Sequence, residues 1–249
     1  MAEIDGMSYS FLVAHELGGA SLRARTDEPG GREAPSEVTT DYVLARRGIS
    51  EGMASYVGYE YVERYGGTFD PRVLRPERTD HPHDRVAQWM YYEGYEFAKA
   101  RSGPSKHDPI DVRSTHRLLF PGVDSGPEAL PNSSFAEQLD GASDPVLTDR
   151  PGALVVRTAL VSRGVGLDRA EETVAGWRNG RVDRYLAEGT IVSVWTTVWA
   201  NETAATTFAR VYETNVPVTR ADSFDSDECQ STERLLLVDD RRVTVVRCS

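Results

Sequence analysis

The sequence predicts an α+β fold, with a mainly helical first lobe followed by a smaller α/β lobe. Three observations lead there. Through the first hundred residues, apolar side chains recur at helical spacing. From 102 to 151 that pattern gives way to a stretch rich in proline, glycine, serine and aspartate. Beyond it, alternating apolar runs and turn formers are interleaved with further helical segments. The expected divisions are 1–101 for the helical lobe, 102–151 for an irregular segment and 152–249 for the α/β lobe, and 249 residues suffice for two modest cores.

Phe11, Leu12, Ala14, Leu17 and Leu22 predict a first helix, closed by the turn formers between Thr26 and Gly31. A run of capping residues from about Ser36 opens a longer second helix, in which Val43, Leu44, Arg47, Ser50, Glu51, Ala54, Val57, Tyr61 and Arg64 succeed one another, and Gly66-Gly67 ends it. Residues 68–84, with prolines, charges, His81 and His83, read as a loop. Val86 to Ala100 reads as an aromatic helix carrying Trp89, Tyr91, Tyr92, Tyr95 and Phe97, rings more typical of core than of a ligand platform. In the second lobe Ala153 to Ser162 is apolar enough for either a strand or a helix. Asp168 is expected to cap a helix through Trp177, Arg181–Glu188 and Thr190–Ala200 to pair as a hairpin, and Glu202–Glu213 to form a helix. Leu235–Val238 and Val243–Arg247 are expected to close the lobe as a second hairpin.

Charge and composition exclude several functions. The 39 acidic residues outweigh 28 basic ones for a net charge of −11, which repels phosphate backbones and anionic lipid, so nucleic acid is not an expected partner. No run approaches the roughly 20 apolar residues of a membrane helix. The first residues are acidic where an export signal would be basic, so the sequence offers no readable address and a cytoplasmic location stays open. Cys229 and Cys248 lack metal-ligand spacing, and unpaired thiols are the simplest reading.

The chemistry-bearing string is His15-Glu16-Leu17-Gly18-Gly19. In a zinc-peptidase helix two histidines at i and i+4 share one face and one metal, while the glutamate after the first serves as general base toward the zinc-bound water. Here the second histidine position holds Gly19, which has no donor. A lone His-Glu pair arises readily by chance, but this one has company. Downstream, Arg46-Arg47-Gly48-Ile49-Ser50-Glu51-Gly52-Met53-Ala54-Ser55-Tyr56-Val57 is similar to the Glu-Gly-x-Ala segment that supplies the third zinc ligand in gluzincin-type metallopeptidases. Glu51 has a plainer reading as a buried carboxylate near Arg47.

Further stretches extend the likeness. Arg113-Ser114-Thr115-His116-Arg117-Leu118-Leu119-Phe120-Pro121 is similar to a Ser-Thr-Glu-Gln-x-x-His-Pro motif. Ala175-Gly176-Trp177-Arg178-Asn179-Gly180-Arg181 is similar to Gly-Trp-Gly-x-Asp-Arg, and Trp199 with Phe208-Ala209-Arg210-Val211-Tyr212 is similar to the strand and helix that follow it. In this order the motifs resemble those of a haloarchaeal surface-protein family with a gluzincin-like metallopeptidase core, which also accords with the acidic, arginine-dominated composition.

The resemblance implies a zincin-like helical lobe, a helix at Ala153 to Ser162 and an extracellular or cell-surface location. It implies that His15 and Glu51 are vestigial metal ligands and Glu16 a vestigial general base. Zinc is the only cofactor it suggests, and the broken ligand set argues for none. Gly19, the His116, Arg117 and Phe120 replacements and Gly180 each depart from the family pattern, so decay looks systemic and a single restored histidine is not expected to return catalysis. Only 14 residues precede His15, where zincins build a sheet, so a truncated copy or an upstream start is expected.

The implied function is a non-catalytic surface or secreted protein that binds a protein or peptide. The alternative is an active metallopeptidase whose third ligand is His81, His83 or His116. An intracellular interaction domain unrelated to peptidases requires that the first two helices keep His15 and Glu51 apart.

Overall fold

A long helix with an apolar stripe must find partners for it, and the second predicted helix organises everything in the first part of the chain. The structure is a computed structural model that describes residues 3–4, 7–26, 38–75, 82–101, 112–123, 128, 130, 135, 139, 144–187, 189–224 and 234–248. It divides into two units, Met1–Asp124 and Ser125–Ser249, each described by itself. The fold is α+β, with the helical part preceding the sheet.

In the first unit, two short strands, β1 (Glu3–Ile4) and β2 (Met7–Ser8), pair antiparallel ahead of helix α1, Tyr9–Thr26. Helix α2 spans Thr40–Tyr65. The Thr39 hydroxyl accepts the Tyr42 N–H at its start, and Gly66, at φ 86°, takes the left-handed backbone that stops it. Small residues recur along α2 at Gly48, Gly52, Ser55 and Gly58, all buried. They let neighbours approach closely. The Phe11 ring of α1 lies against Gly58, Val57 against Gly18, and Leu22 joins Ala45, Ile49 and Met53, so α1 runs antiparallel to α2.

On another side of α2, a Cβ added to Gly52 would collide with the carbonyl group of Gly94, so helix α3 (Pro82–Ala100) crosses there backbone to backbone. Helix α4 (Thr115–Leu119) is tied to α2 by buried Asp41, whose carboxylate accepts the Thr115 N–H at 2.8 Å and its hydroxyl at 2.5 Å. Phe97, Ala98, Val112 and Leu118 complete the core cluster around Ile49 and Met53.

The second unit is a six-stranded sheet in the order β3-β4-β5-β8-β7-β6, formed by Leu147–Asp149 (β3), Trp177–Ala187 (β4), Thr190–Trp199 (β5), Thr219–Ala221 (β6), Arg234–Asp239 (β7) and Arg242–Cys248 (β8). Every pairing is antiparallel except β6 with β7. Helices α5 (Gly152–Ser162), α6 (Leu167–Val174) and α7 (Glu202–Asn215) accompany it. On the face that meets α7, Phe208 stacks on Trp199 at 4.6 Å and meets Trp195 edge-on at 5.7 Å. On the other, Tyr185, Val192, Val194, Leu235 and Val246 form a core covered by Leu139, Phe135 and Phe224.

Several expectations are corrected. Asp168 does not cap its helix: Gly166 is the N-cap, Asp168 lies in the first turn, the helix stops at Val174, and Trp177 already begins β4, where it pairs opposite Trp199. Residues 68–84 are not all loop: Pro71–Leu74 form a 3-10 turn, and α3 starts at Pro82, whose fixed φ and missing N–H suit a first helical position. His83 therefore falls in α3, while His81 lies outside the described residues. Ala153 to Ser162, open between strand and helix on periodicity alone, is the helix α5. The stretch 102–151 contributes α4 to the first unit and β3 to the second. Cys229 and the side chain of Cys248 lie outside the described residues.

Candidate functional site

The geometry of α1 against α2 decides what the predicted residues can do. Residues four apart on a helix share a face, so Phe11 and His15 of α1 look the same way, as do Glu51 and Ser55 of α2. Antiparallel packing slots the His15 ring between the latter two. Its Nδ1 lies 3.3 Å from the Ser55 hydroxyl and its Nε2 lies 3.6 Å from a Glu51 carboxylate oxygen. The contacts are satisfied together when Ser55 donates to Nδ1 and the proton sits on Nε2, facing Glu51. The Phe11 ring stands 6.1 Å from the imidazole and backs it with apolar surface.

The predicted pair is thus side by side, which the unrelated-domain reading required it not to be. His15 and Glu51 retain 19% and 28% of their side-chain exposure, so the pair opens to solvent on one side, whereas Ser55 is buried. A buried hydroxyl cannot meet a substrate. The Ser55–His15–Glu51 string is consequently a polar pin between helices and not a nucleophile with its base. Ser55 lies within the segment that resembles the Glu-Gly-x-Ala motif, but its role beside His15 escaped sequence reasoning, although its position four residues after Glu51 was the available signal. The partner of Glu51 among the described residues is His15 and not Arg47, which is exposed.

Other expected participants are elsewhere. Glu16 is exposed on the outer side of α1, and Gly19 is buried without a donor. His116 is buried in α4, its ring 5.0 Å from Phe120, in the neighbourhood of Leu118 and the core. The side chains of His81 and His83 lie outside the described residues.

A tetrahedral zinc with ligand bonds of about 2.0–2.2 Å holds two donors roughly 3.4 Å apart. The 3.6 Å separation of Nε2 and the carboxylate oxygen suits that spacing. The donor set does not suit a catalytic zinc, which takes three protein ligands and water. Ser55 sits at the opposite ring nitrogen, Gly19 offers nothing, and among the described residues no group of three His, Cys, Asp or Glu side chains converges.

Beside the pin, α1 and α2 enclose an apolar groove of about 530 Å³ lined by Val13, Leu17, Gly18, Leu22, Val57 and Tyr61. Leu17 is 67% exposed on its rim. Behind the pin lies an aromatic cluster, with Phe11 stacked on Phe69 at 4.0 Å and Tyr95 meeting Phe69 and Tyr59 edge-on. Burial pushes the Tyr95 phenol well above its ordinary range, and the charges of neighbouring acidic groups add to that.

Residues 137–249 match a family model described as a domain of unknown function, DUF8575, a stretch that lies wholly within the sheet-bearing unit. Neither a curated protein nor a solved structure matches the chain.

Proposed function

We propose that the protein is a non-catalytic binding protein, surface-exposed or secreted, whose helical unit descends from a zinc metallopeptidase and now serves to engage a protein or peptide. The observation that carries this reading is the His15–Glu51 pair, held 3.6 Å apart on neighbouring helices where a peptidase would keep two of its three zinc ligands, with Gly19 in the place of the second histidine. A retained pair without the remaining donor keeps the architecture of a metal site and lacks its function. The apolar groove beside the pair, with Leu17 exposed on its rim, supports binding as the residual role.

One observation favours a second reading. The donor separation is close to that of two ligands on a common zinc, which an active metallopeptidase with Glu16 as general base and a non-standard third ligand would also display. One experiment separates the two. The purified chain is equilibrated with zinc chloride, its metal content is measured by mass spectrometry, and hydrolysis of a quenched-fluorescence peptide library is followed with and without chelator. Substoichiometric zinc and no chelator-sensitive hydrolysis are expected. One zinc per chain together with hydrolysis that vanishes in Glu16→Gln would overturn the non-catalytic reading.

A further inference from the structure

The sheet carries a row of arginines that belongs to none of the sequence motifs. Strand register places Leu147, Arg184, Ser193, Arg247 and Arg234 directly opposite one another across β3, β4, β5, β8 and β7. Side chains alternate between faces along a strand, so all five share the face of Trp195, two residues beyond Ser193, against which α7 packs. Tyr212 of α7 marks the border of the row. Burial raises its phenol above the ordinary range, and the positive charges of Arg234, Arg163 and Arg247 act in the opposite direction. Arg163, at the carboxyl end of α5, therefore joins the same field.

This concentration is costly to the fold. Arg234 and Arg247 are directly opposed cross-strand neighbours, a like-charge arrangement that destabilises a sheet. Among the described residues, the ion pairs of this unit engage Arg157, Arg169, Arg181, Arg220, Arg241 and Arg242, and leave out Arg163, Arg184, Arg234 and Arg247. The partial negative charge at the carboxyl ends of α5 and α7 offsets part of the repulsion but cannot occupy the guanidinium forks. In a chain of net charge −11, these four arginines, which among the described residues pair with no carboxylate, leave a local positive field that an acidic ligand complements.

The surroundings identify its chemistry. Leu147 stands at one end of the row, and Leu186 and Ile191, themselves paired across β4 and β5, extend the same face; all three are exposed. Arg184 and Arg234 lie three strand spacings apart, about 14 Å. That exceeds a phosphate ion and matches an extended segment of about four residues. Exposed leucine and isoleucine beside the charges favour a ligand with apolar side chains over a bare phosphate chain or a nucleic acid, which the net charge also repels.

We propose that the arginine row of the sheet, with Leu147, Leu186 and Ile191, is a docking surface for an extended acidic polypeptide segment that also carries apolar residues. The proposal does not rest on the ancestry of the helical unit.

The probe is a fluorescein-labelled decapeptide of alternating glutamate and leucine, titrated with the full chain and read by anisotropy. Saturable binding that weakens as salt is raised is expected. Arg184→Gln/Arg234→Gln/Arg247→Gln is expected to weaken it about 30-fold or more, from lost charge-assisted hydrogen bonds. Leu186→Ser/Ile191→Ser is expected to weaken it about tenfold, and a glutamate–serine decapeptide to bind the wild-type chain correspondingly less well. Should the triple variant fail to fold, exposed Arg247→Gln alone carries the test, at about fivefold. The proposal is overturned if the wild-type chain shows no saturable binding, if the arginine substitutions leave binding unchanged, or if tripolyphosphate or a single-stranded oligonucleotide binds as tightly as the glutamate–leucine peptide.

Discussion

The two units solve the packing problem with opposite materials. In Met1–Asp124 the helices close on glycine and serine: Gly48, Gly52 and Gly58 of α2 remove side chains so that backbones approach, and one histidine pins the seam. In Ser125–Ser249 the sheet closes on bulk, with Trp177, Trp199 and Phe208 among the most buried side chains. Motif residues in the first unit can therefore be packing devices in disguise. Gly52, the glycine of the Glu-Gly-x-Ala likeness, is required where α2 meets Gly94, whatever its ancestry. The resemblance consequently rests on the placement of Glu51 beside His15 more than on the glycine. The family match falls instead on the unit closed by bulk, where the arginine row lies.

The contrast can be broken at its strongest point in the second unit. Trp199 is fully buried, stacks on Phe208 and donates its indole N–H to the Thr197 hydroxyl at 2.9 Å. Trp199→Ala empties that space and removes the hydrogen bond, for an expected loss of about 3–5 kcal/mol. Urea unfolding, followed by hydrogen exchange on the amides of β5 and β8, measures it. A loss below about 1 kcal/mol would mean that the aromatic layer is not the source of that unit's stability.

The corresponding substitution in the first unit adds atoms instead of removing them. A single methyl at Gly52 meets backbone, which cannot rotate aside, so Gly52→Ala is expected to cost about 3 kcal/mol despite the better helix propensity of alanine. Gly122→Ala is the control, because nothing lies within 4 Å of its Cβ position. If the two variants melt alike, the close crossing of α2 and α3 is not what the structure describes, and the glycine of the motif returns as evidence for descent.

Much of this was legible in the sequence, and the failures share a cause. The order of helices and the two hairpins follow from periodicity and turn residues, and the neighbourhood of His15 and Glu51 is what the resemblance of their two motifs implies. Periodicity alone leaves 153–162 open between helix and strand, since a short apolar run serves either, while the resemblance implies the helix that is present. Local sequence places Trp177 at the end of a helix, because the pairing that claims it for β4 lies 22 positions away, at Trp199. Ser55 and the arginine row escaped for the same reason. Their meaning exists only in register across elements, and Arg184, Arg234 and Arg247 are unremarkable where they stand in the chain.

The smallest effect sharpens the comparison from the side of polar groups. The pin satisfies its atoms pairwise, but the hydroxyl of fully buried Tyr95, behind it, has no hydrogen-bond partner among the described residues. An unpartnered buried hydroxyl costs its desolvation without return. Tyr95→Phe keeps the ring contacts with Phe69 and Tyr59 and removes that cost, so it is expected to raise stability by up to about 1 kcal/mol, read as a higher thermal midpoint. A fall instead would show that the hydroxyl is bonded in solution. The aromatic cluster would then be a second polar device of the helical unit, and the division between a unit closed by small and polar residues and one closed by aromatic bulk would deepen.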